Sequence, residues 1–144
     1  MAHTDNLVVD ALITAKRPEI ERQGIELKVI ADLKPLDNWD AIDLTAIFGN
    51  ALDNAVEAVS DITIPEKRLI TIKSYTESGY CICKITNFFE GFILRTGDTF
   101  SSTKAPERGI GLRSIRYSVE RNHGNMEIDT TDDAFTLVLL LPIK

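Results

Sequence analysis

Two asparagines one helical turn apart, Asn50 and Asn54, are the residues of this chain best suited to chemistry. They lie in the segment Asp43–Ser60, whose apolar residues recur at the i, i+3, i+4, i+7 spacing of an amphipathic helix. At about 100° per residue, the two carboxamides stack along the border of the apolar face, where they are half-buried and need partners. Because asparagine is a mediocre helix former, the pair favours a ligand site. The alternative is a surface helix with incidental polar residues. Asp53 and Glu57 lie on the same polar stripe of the helix as the two asparagines and are weaker candidates for contact with a ligand.

Two further features converge on a site for a phosphate-bearing ligand. In the sequence RGIGL, Arg108–Leu112, glycines open a predicted helix directly after a long irregular segment. Glycines at a helix N-terminus let backbone N–H groups approach phosphate oxygens, and the helix dipole favours an anion. A single GxG is weak support, since many helices begin with glycine, but the preceding SSTK of Ser101–Lys104 strengthens it. The other feature is Asn87, at the end of a predicted strand just before the irregular segment.

The elements that must position these residues alternate between helices, strands and hairpins. In chain order they are helix, strand, helix, hairpin, irregular segment, helix and hairpin, over Asp5–Ile20, Ile25–Ile30, Asp43–Ser60, Arg68–Thr86, Phe88–Arg108, Gly109–Arg121 and Met126–Pro142. Pro18 is expected to end or kink the first helix, and Gly124 to follow the third as its C′ residue. The apolar run Leu137–Leu141 predicts a central last strand. This order predicts a two-layer α/β sandwich with a mostly antiparallel sheet.

The segment Phe88–Arg108 is expected to be irregular. It contains Gly91, Gly97 and Pro106 and has no sustained period of either kind. About twenty irregular residues are uncommon in a compact domain unless the loop is functional. We therefore predict a mobile lid.

Composition restricts the classes of protein that the chain can belong to. Its 144 residues, 44% hydrophobic and 26% charged, suit one globular domain, residues 1–144. No apolar run approaches the ~20 residues that span a bilayer, and the first residues lack the apolar middle of a signal peptide. A net charge of −6 argues against nucleic-acid binding and against direct contact with an anionic membrane.

Local charge and cysteine placement add two expectations. Five basic residues form a local positive patch that suits a small polyanion: Lys104, Arg108, Arg113, Arg116 and Arg121. Cys81 and Cys83 alternate along a predicted strand and share one face, so they are poorly placed for a disulfide. We interpret them as small core residues of a reducing, cytosolic chain.

The motifs, taken in order, resemble a known superfamily. GNALDNAVEA resembles the N-box of the GHKL superfamily, which contains DNA gyrase, the heat-shock chaperone ATPase, histidine kinases and mismatch-repair ATPases. The series NFFEG, SSTK, RGIGLRSI, ERNHGN and FTLVLLLP is similar to the catalytic domain of sensor histidine kinases that serve peptide quorum sensing in Gram-positive bacteria. The resemblance runs from about Asn6 to Pro142. It implies the Bergerat-type fold, with about five strands packed on about three helices and a long ATP lid.

The resemblance also implies roles for individual residues, with ATP and Mg²⁺ as cofactors. Asn54 would bind the Mg²⁺ ion that bridges the ATP phosphates, and Asn50 would assist at the phosphates or at metal-bound water. The other implied contacts to the nucleotide are Asn87, Thr103, Lys104, Gly109, Ile110, Gly111 and Leu112. Hydrolytic relatives carry a glutamate base four positions before the metal-binding asparagine, whereas a carboxamide cannot act as a base. Asn50 therefore favours transfer of the γ-phosphate to a protein acceptor.

Three positions depart from the family pattern. The adenine-reading DxGxG motif is missing, and Asn87 stands at the corresponding strand end, where its carbonyl would accept from the adenine amino group. Arg108 replaces the histidine that usually begins the second glycine box in this subfamily. Glu57 stands where many kinases have a lysine near the phosphates, and Lys104 is the candidate for that contact, with a solvated lysine as the alternative.

The acceptor histidine is not expected in this chain. Of its two histidines, His3 is interpreted as a residue at the edge of the domain, before the first helix, and His123 as a residue that caps a helix C-terminus. The resemblance thus implies the cytoplasmic domain of a longer, membrane-anchored, homodimeric receptor, with a histidine-bearing dimerisation domain as acceptor and a response regulator downstream. The alternatives are a degenerate nucleotide-binding regulatory module without catalysis and an anti-sigma-type serine kinase.

Overall fold

The computed structural model describes residues 3–90, 93–96, 99–102 and 108–144, and the side chains of 3–90 and 111–144. The described helices are α1 (Leu7–Arg22), α2 (Ala41–Ser60) and α3 (Arg108–Arg121). The described strands are β1 (Glu26–Ile30), β2 (Leu69–Glu77), β3 (Tyr80–Phe88), β4 (Ile93–Thr96), β5 (Thr99–Ser102), β6 (Asn125–Thr130) and β7 (Ala134–Pro142). Short 3-10 turns at Lys34–Leu36 and Pro65–Lys67 flank α2.

Five of the strands form the main sheet, in the order β1-β2-β3-β7-β6. β1 runs parallel to β2, and the other neighbours are antiparallel. The predicted mixed, mostly antiparallel sheet with three helices is confirmed. The apolar strand β7 lies between β3 and β6, so its predicted interior position is also correct.

The core lies between the helices and one face of this sheet. Alternate residues of β2, β3 and β7 are buried on this face, among them Ile72, Ile85 and Leu139. Phe48 and Leu52 of α2 are wholly buried against them. Cys81 and Cys83 are free and buried, as predicted. Burial raises the pKa of the Cys81 thiol to about 11 and that of Cys83 further, so both thiols stay protonated at neutral pH.

The first helix does not end at Pro18, the first of the two outcomes expected of that residue, and it extends two residues beyond the predicted Ile20. α1 begins after Asn6, whose side chain accepts from the Val9 N–H, and continues through Pro18 to Arg22. Pro18 and the residue four positions before it, Thr14, are both exposed, so water can replace the missing backbone hydrogen bond. Ile20, only 1% exposed, anchors the final turn in the core.

The segment Phe88–Arg108 is not irregular throughout, which corrects the second expectation. β4 and β5 form a two-stranded antiparallel sheet that pairs Ile93 with Ser102, and β5 lies against α3. Four-residue strands are too short to show a period in the sequence. Residues 91–92, 97–98 and 103–107 of the predicted lid, with Thr103 and Lys104 among them, lie outside the described residues, and a mobile lid stays a prediction.

The end of α3 corrects a third expectation. The left-handed residue after the helix is His123, with φ +65°, and not Gly124. A Cβ atom on Gly124 would lie 2.6 Å from the Leu140 carbonyl oxygen. Glycine is therefore required here by the close approach of β7. No helix among the described residues is long and apolar enough to cross a bilayer.

Candidate functional site

Helix α2 holds the two asparagines in a fixed frame. Asp40 caps its N-terminus by accepting from the Ile42 N–H at 2.8 Å. Its apolar face is buried along the length of the helix, which fixes its rotation about its own axis. Asn50 and Asn54 lie half-buried at the border of that face, as the spacing predicts.

The carboxamide of Asn50 is oriented by its own helix. Its Nδ2 donates to the Ala46 carbonyl oxygen at 2.7 Å, which leaves Oδ1 as an acceptor. Within the described part of the chain, the side chain of Asn54 forms no hydrogen bond, and no donor reaches Oδ1 of Asn50. Two partly buried carboxamide groups thus remain available to a ligand.

The first turn of α3 faces these two oxygens. A Cβ atom on Gly111 would lie 3.7 Å from Asn54 Oδ1 and 3.8 Å from Asn50 Oδ1. The fold therefore brings together the predicted asparagine pair and the predicted glycine motif, which are far apart in the sequence. Oxygen acceptors on α2 meet the N-terminal turn of α3, where the first backbone N–H groups have no intrahelical partner.

This combination of groups fits a nucleotide that carries a divalent metal. Carboxamide oxygens are suitable ligands for Mg²⁺, while a helix N-terminus with glycines suits phosphate oxygens. Two neutral carboxamides fill only part of an octahedral shell, so phosphates and water must complete it. In the part of the chain that the structure describes, no cluster of three or more His, Cys, Asp or Glu residues is able to hold a metal ion. The donor set therefore fits a metal that arrives with phosphate ligands.

Asp53 is directed away from this site. Its Oδ1 accepts from Lys16 Nζ of α1 at 2.5 Å, and its side chain is 64% exposed. Asp53 thus links α1 to α2, and Glu57, the other weaker candidate, is half-buried one turn later.

Asn87 occupies the predicted strand end and is 5% exposed. It lies on the same helix-facing side of β3 as Cys83 and Ile85. Its Nδ2 donates to the Phe88 carbonyl oxygen at 2.8 Å. It forms no hydrogen bond with Asn50 or Asn54 among the described contacts. Its Oδ1 has no donor from the described residues and keeps the acceptor capacity that was expected of it.

The other predicted contact residues belong to α3 or to the segment before it. Gly109 and Ile110 lie in the first turn of α3, where backbone N–H groups have no intrahelical partner. Leu112 is 6% exposed and packs in the core, so it can offer a ligand only its backbone. Thr103 and Lys104 stay predictions, because they lie outside the described residues.

Sequence reasoning missed a buried polar cluster that joins the two helices of the site. Asp43, only 5% exposed in the first turn of α2, accepts from Asn122 Nδ2 at 3.1 Å. Arg121 Nε lies 3.8 Å from the same carboxylate, and Lys144 Nζ donates to Asn122 Oδ1. The cluster ties α2 to the end of α3 and so holds Asn50 and Asn54 opposite Gly111.

The two-layer fold and this arrangement of acceptors and N–H donors define an ATP-binding domain of the kinase and ATPase type. A family model described as the GHKL domain matches residues 39–142, and the chain belongs to that family. A probable C4-dicarboxylate sensor kinase from Halalkalibacterium halodurans is 25% identical to it over 151 residues. That alignment covers 99% of this chain and 28% of the relative.

Solved structures of histidine kinases share the fold. The catalytic domain of histidine kinase ThkA superposes with a TM-score of 0.72 at 17% identity, over 98% of this chain and 93% of that one. The histidine kinase AdeS of Acinetobacter baumannii gives 0.68 at 14% identity, over 96% and 64%. Full-length ShkA in complex with AMPPNP gives 0.68 at 15% identity, over 94% and 29%. The predicted membership of the histidine-kinase type of GHKL domain is confirmed, while the quorum-sensing subfamily stays a prediction.

Proposed function

We propose that this chain is the catalytic domain of a longer sensor histidine kinase, in which it binds Mg²⁺ and ATP and presents the γ-phosphate to a histidine of a separate domain. The observation that carries the proposal is the convergence of Asn50 Oδ1 and Asn54 Oδ1 on Gly111 at the start of α3. Membership of the GHKL family and the sensor-kinase relative support it.

In this proposal, each side of the site holds a different part of the nucleotide. Asn54 contributes its oxygen to Mg²⁺, which neutralises charge on the phosphates when bound. Asn50 supports the phosphates or a metal-bound water. The first N–H groups of α3, with Thr103 and Lys104, hold the phosphate oxygens, while Asn87 accepts from the adenine amino group.

The residue at position 50 favours a kinase over an ATPase. A carboxamide whose nitrogen donates to the Ala46 carbonyl offers no base that would activate water. The remaining contribution of the domain is positioning and electrostatic stabilisation of the transferred group, which is what phosphoryl transfer chiefly requires.

The acceptor and the rest of the receptor are part of the same proposal. This chain spans 28% of the length of the curated relative, which leaves room in such a protein for further domains. His123 is exposed just beyond the C-terminus of α3, whereas the phosphate site is at the N-terminus of that helix. The acceptor is therefore a histidine on the dimerisation domain of a homodimeric, membrane-anchored receptor that passes the phosphate to a response regulator.

A second candidate is a GHKL module that binds nucleotide without catalysis. Asn87 favours it, because this residue stands in place of the adenine-reading aspartate and its amide nitrogen is already used by the Phe88 carbonyl.

Calorimetric titration with a non-hydrolysable ATP analogue, with and without Mg²⁺, tests the proposal. Asn54→Ala is expected to abolish Mg²⁺-dependent binding and to leave the fold intact, because Asn54 borders the core without filling it. Asp53→Ala is the matched control, since the neighbouring side chain pairs with Lys16 and its loss should leave the affinity unchanged.

The transfer reaction separates the two candidates. With the helical hairpin of its own receptor, the wild-type domain should phosphorylate the hairpin histidine. Binding without transfer would favour the non-catalytic module, and unchanged affinity in a folded Asn54→Ala variant would refute the metal assignment.

A further inference from the structure

An apolar groove lies between the N-terminal halves of α1 and α2. It is lined by Leu7, Val8, Ala11 and Leu12 of α1 and Thr45 of α2, and its volume is about 390 Å³. Leu7 is 90% exposed. Ile42, one turn before Thr45 on α2, is 78% exposed. These are the two most exposed large hydrophobic residues among the described side chains, and we refer to this surface as the α1–α2 groove.

The core does not account for these apolar side chains. α1 buries Val9, Ile13 and Ile20 in the core, and α2 buries Leu44 and Ile47 there. Leu7 and Ile42 lie outside the buried faces of their helices. Polar residues at these exposed positions would make the protein more soluble. A cluster of exposed apolar residues at a groove is typical of an interaction surface.

The residues that line the groove are uncharged, and aspartates lie in the segments around it. Residues 3–15 and 37–53 contain six, with Lys16 and Lys34 as the nearest cations along the chain: Asp5, Asp10, Asp37, Asp40, Asp43 and Asp53. Asp43 and Asp53 have cationic partners in Arg121 and Lys16.

The aspartates without such partners gather at one end of the groove. Asp5, Asp37 and Asp40 are exposed and form no ion pair with the described lysines and arginines. A hydrogen bond of 3.1 Å from Asn6 Nδ2 to Asp37 Oδ1 joins the start of α1 to the loop before α2, so these carboxylates share the N-terminal end.

We propose that the α1–α2 groove binds an amphipathic helix of a partner protein, with apolar residues on the groove floor and lysine or arginine at its acidic end. A groove between two helices accepts a third helix whose apolar residues recur at i, i+3, i+4 and i+7. The acidic end selects a cationic helix and repels both an anionic membrane and a second copy of this chain, whose net charge is −6. The site is separate from the nucleotide site, because it uses the α1 side of α2, whereas Asn50 and Asn54 face α3.

A titration followed by two-dimensional amide NMR tests the proposal. The probe is a leucine- and lysine-based amphipathic peptide about 18 residues long, or about five helical turns. A peptide of the same composition in scrambled order is the control. We expect saturable shift changes at Leu7–Leu12 and Ile42–Thr45, and none of comparable size with the scrambled peptide.

Two sets of substitutions separate the apolar and the charged contributions. Leu7→Ser combined with Ile42→Ser should weaken binding at least about tenfold. Asp5→Asn combined with Asp37→Asn should weaken it about threefold at low salt and less at high salt. Ile30→Ser combined with Ile64→Ser, at exposed positions away from the groove, should leave the affinity unchanged, and all variants should keep their affinity for the ATP analogue.

Several outcomes would overturn the proposal. These are the absence of binding, equal binding of the scrambled peptide, and shift changes that centre on another surface. Concentration-dependent shifts at the groove without peptide would instead identify a second copy as the occupant. Binding of phosphatidylglycerol vesicles that is lost in the Leu7→Ser, Ile42→Ser variant would identify a membrane.

Discussion

At the scale of single residues, the side chain at position 50 sets the proposed reaction type. Its nitrogen is held by the Ala46 carbonyl, so its oxygen is directed toward the first turn of α3. Such an oxygen accepts hydrogen bonds and binds metal ions but takes no proton from water at neutral pH. The same position therefore offers a direct way to convert one chemistry into another.

We predict that the isolated domain binds ATP but hydrolyses it very slowly, and that Asn50→Glu raises the rate of hydrolysis. Glutamate would place a carboxylate one turn before Asn54, close to where an attacking water would lie. Phosphate release measured with and without Mg²⁺ checks this expectation. Asn50→Gln is the control, because glutamine has the same length as glutamate but no carboxylate that could act as a base. Rapid ATP hydrolysis by the unmodified domain would contradict the kinase proposal.

Gly124 is the second residue whose identity is fixed by its surroundings. We expect Gly124→Ala to lower the free energy of unfolding by about 2 kcal/mol or more, because the new Cβ would lie 2.6 Å from the Leu140 carbonyl oxygen. Urea denaturation measures the change.

Gly49→Ala is the matched comparison for this prediction. A Cβ at Gly49 has nothing within 4 Å, and alanine in a helix interior should stabilise the protein by about 0.5–1 kcal/mol. Equal stability changes in both variants would show that the contact between Gly124 and β7 is absent.

At the scale of elements, the start of α1 depends on one side chain that serves two partners. Asn6 is 2% exposed, its Oδ1 accepts from the Val9 N–H, and its Nδ2 donates to Asp37. It therefore caps α1 and also fixes this helix to the loop that leads into α2.

Asn6→Ala is expected to lower the free energy of unfolding by about 1–2 kcal/mol, because it leaves an N–H group of the first turn unpaired and removes the link to Asp37. Thermal and urea denaturation measure the loss. Thr14→Ala, at an exposed position of the same helix, should change stability by less than about 0.5 kcal/mol. Equal losses of unfolding free energy in the two variants would show that Asn6 does not stabilise the start of α1 in the proposed way.

Regular elements were predictable where their period is long and uninterrupted. The buried positions of α2 and the two hairpins of the main sheet follow directly from apolar spacing and turn residues. Pro18 does not end α1, although a proline inside a helix removes one backbone hydrogen bond. The free-energy cost depends on whether the carbonyl group that loses its partner can reach water, and this is a property of the folded surface. β4 and β5 are too short to show a period, and the left-handed residue was assigned to Gly124 although His123 adopts that conformation.

The candidate site also contains residues that were predictable from the sequence and contacts that were not. Asn50, Asn54 and Gly111 were predicted as neighbours because each belongs to a local motif, and the resemblance to a known superfamily suggested that the motifs meet; the structure brings them together. The cluster of Asp43, Asn122 and Lys144 has no local signature, since its members become neighbours only after the chain folds. The pairing of Asp53 with Lys16 was missed for the same reason.

At the scale of the whole molecule, the proposed nucleotide site depends on how α2 and α3 are held together. Helix α2 forms one side of the site and helix α3 the other. The buried cluster around Asn122 joins the two helices at a distance from the site. Stability and ligand affinity should therefore respond together to changes in this cluster.

Asn122→Ala is expected to destabilise the protein by about 2–3 kcal/mol, because the buried Asp43 carboxylate loses its amide donor. It should also weaken the binding of the ATP analogue, although the described hydrogen bonds of Asn122 go to Asp43, Ser118 and Lys144 and not to a proposed site residue. Calorimetry and urea denaturation on the same samples check both effects. Ser114→Ala, at an exposed position of α3, is the control, and a stability loss with full affinity would refute the coupling.

The order in which the strands are joined has a consequence for the synthesis of the protein. β3 lies at the centre of the main sheet between β2 and β7, and β7 follows all the other described strands in the chain. Until the ribosome has delivered Ala134–Pro142, β3 keeps one edge of backbone N–H and C=O groups unpaired. A translation product that stops before Ala134 carries this bare edge into solution, where it can pair with other chains. Synthesis of β7 is thus the event that closes the sheet.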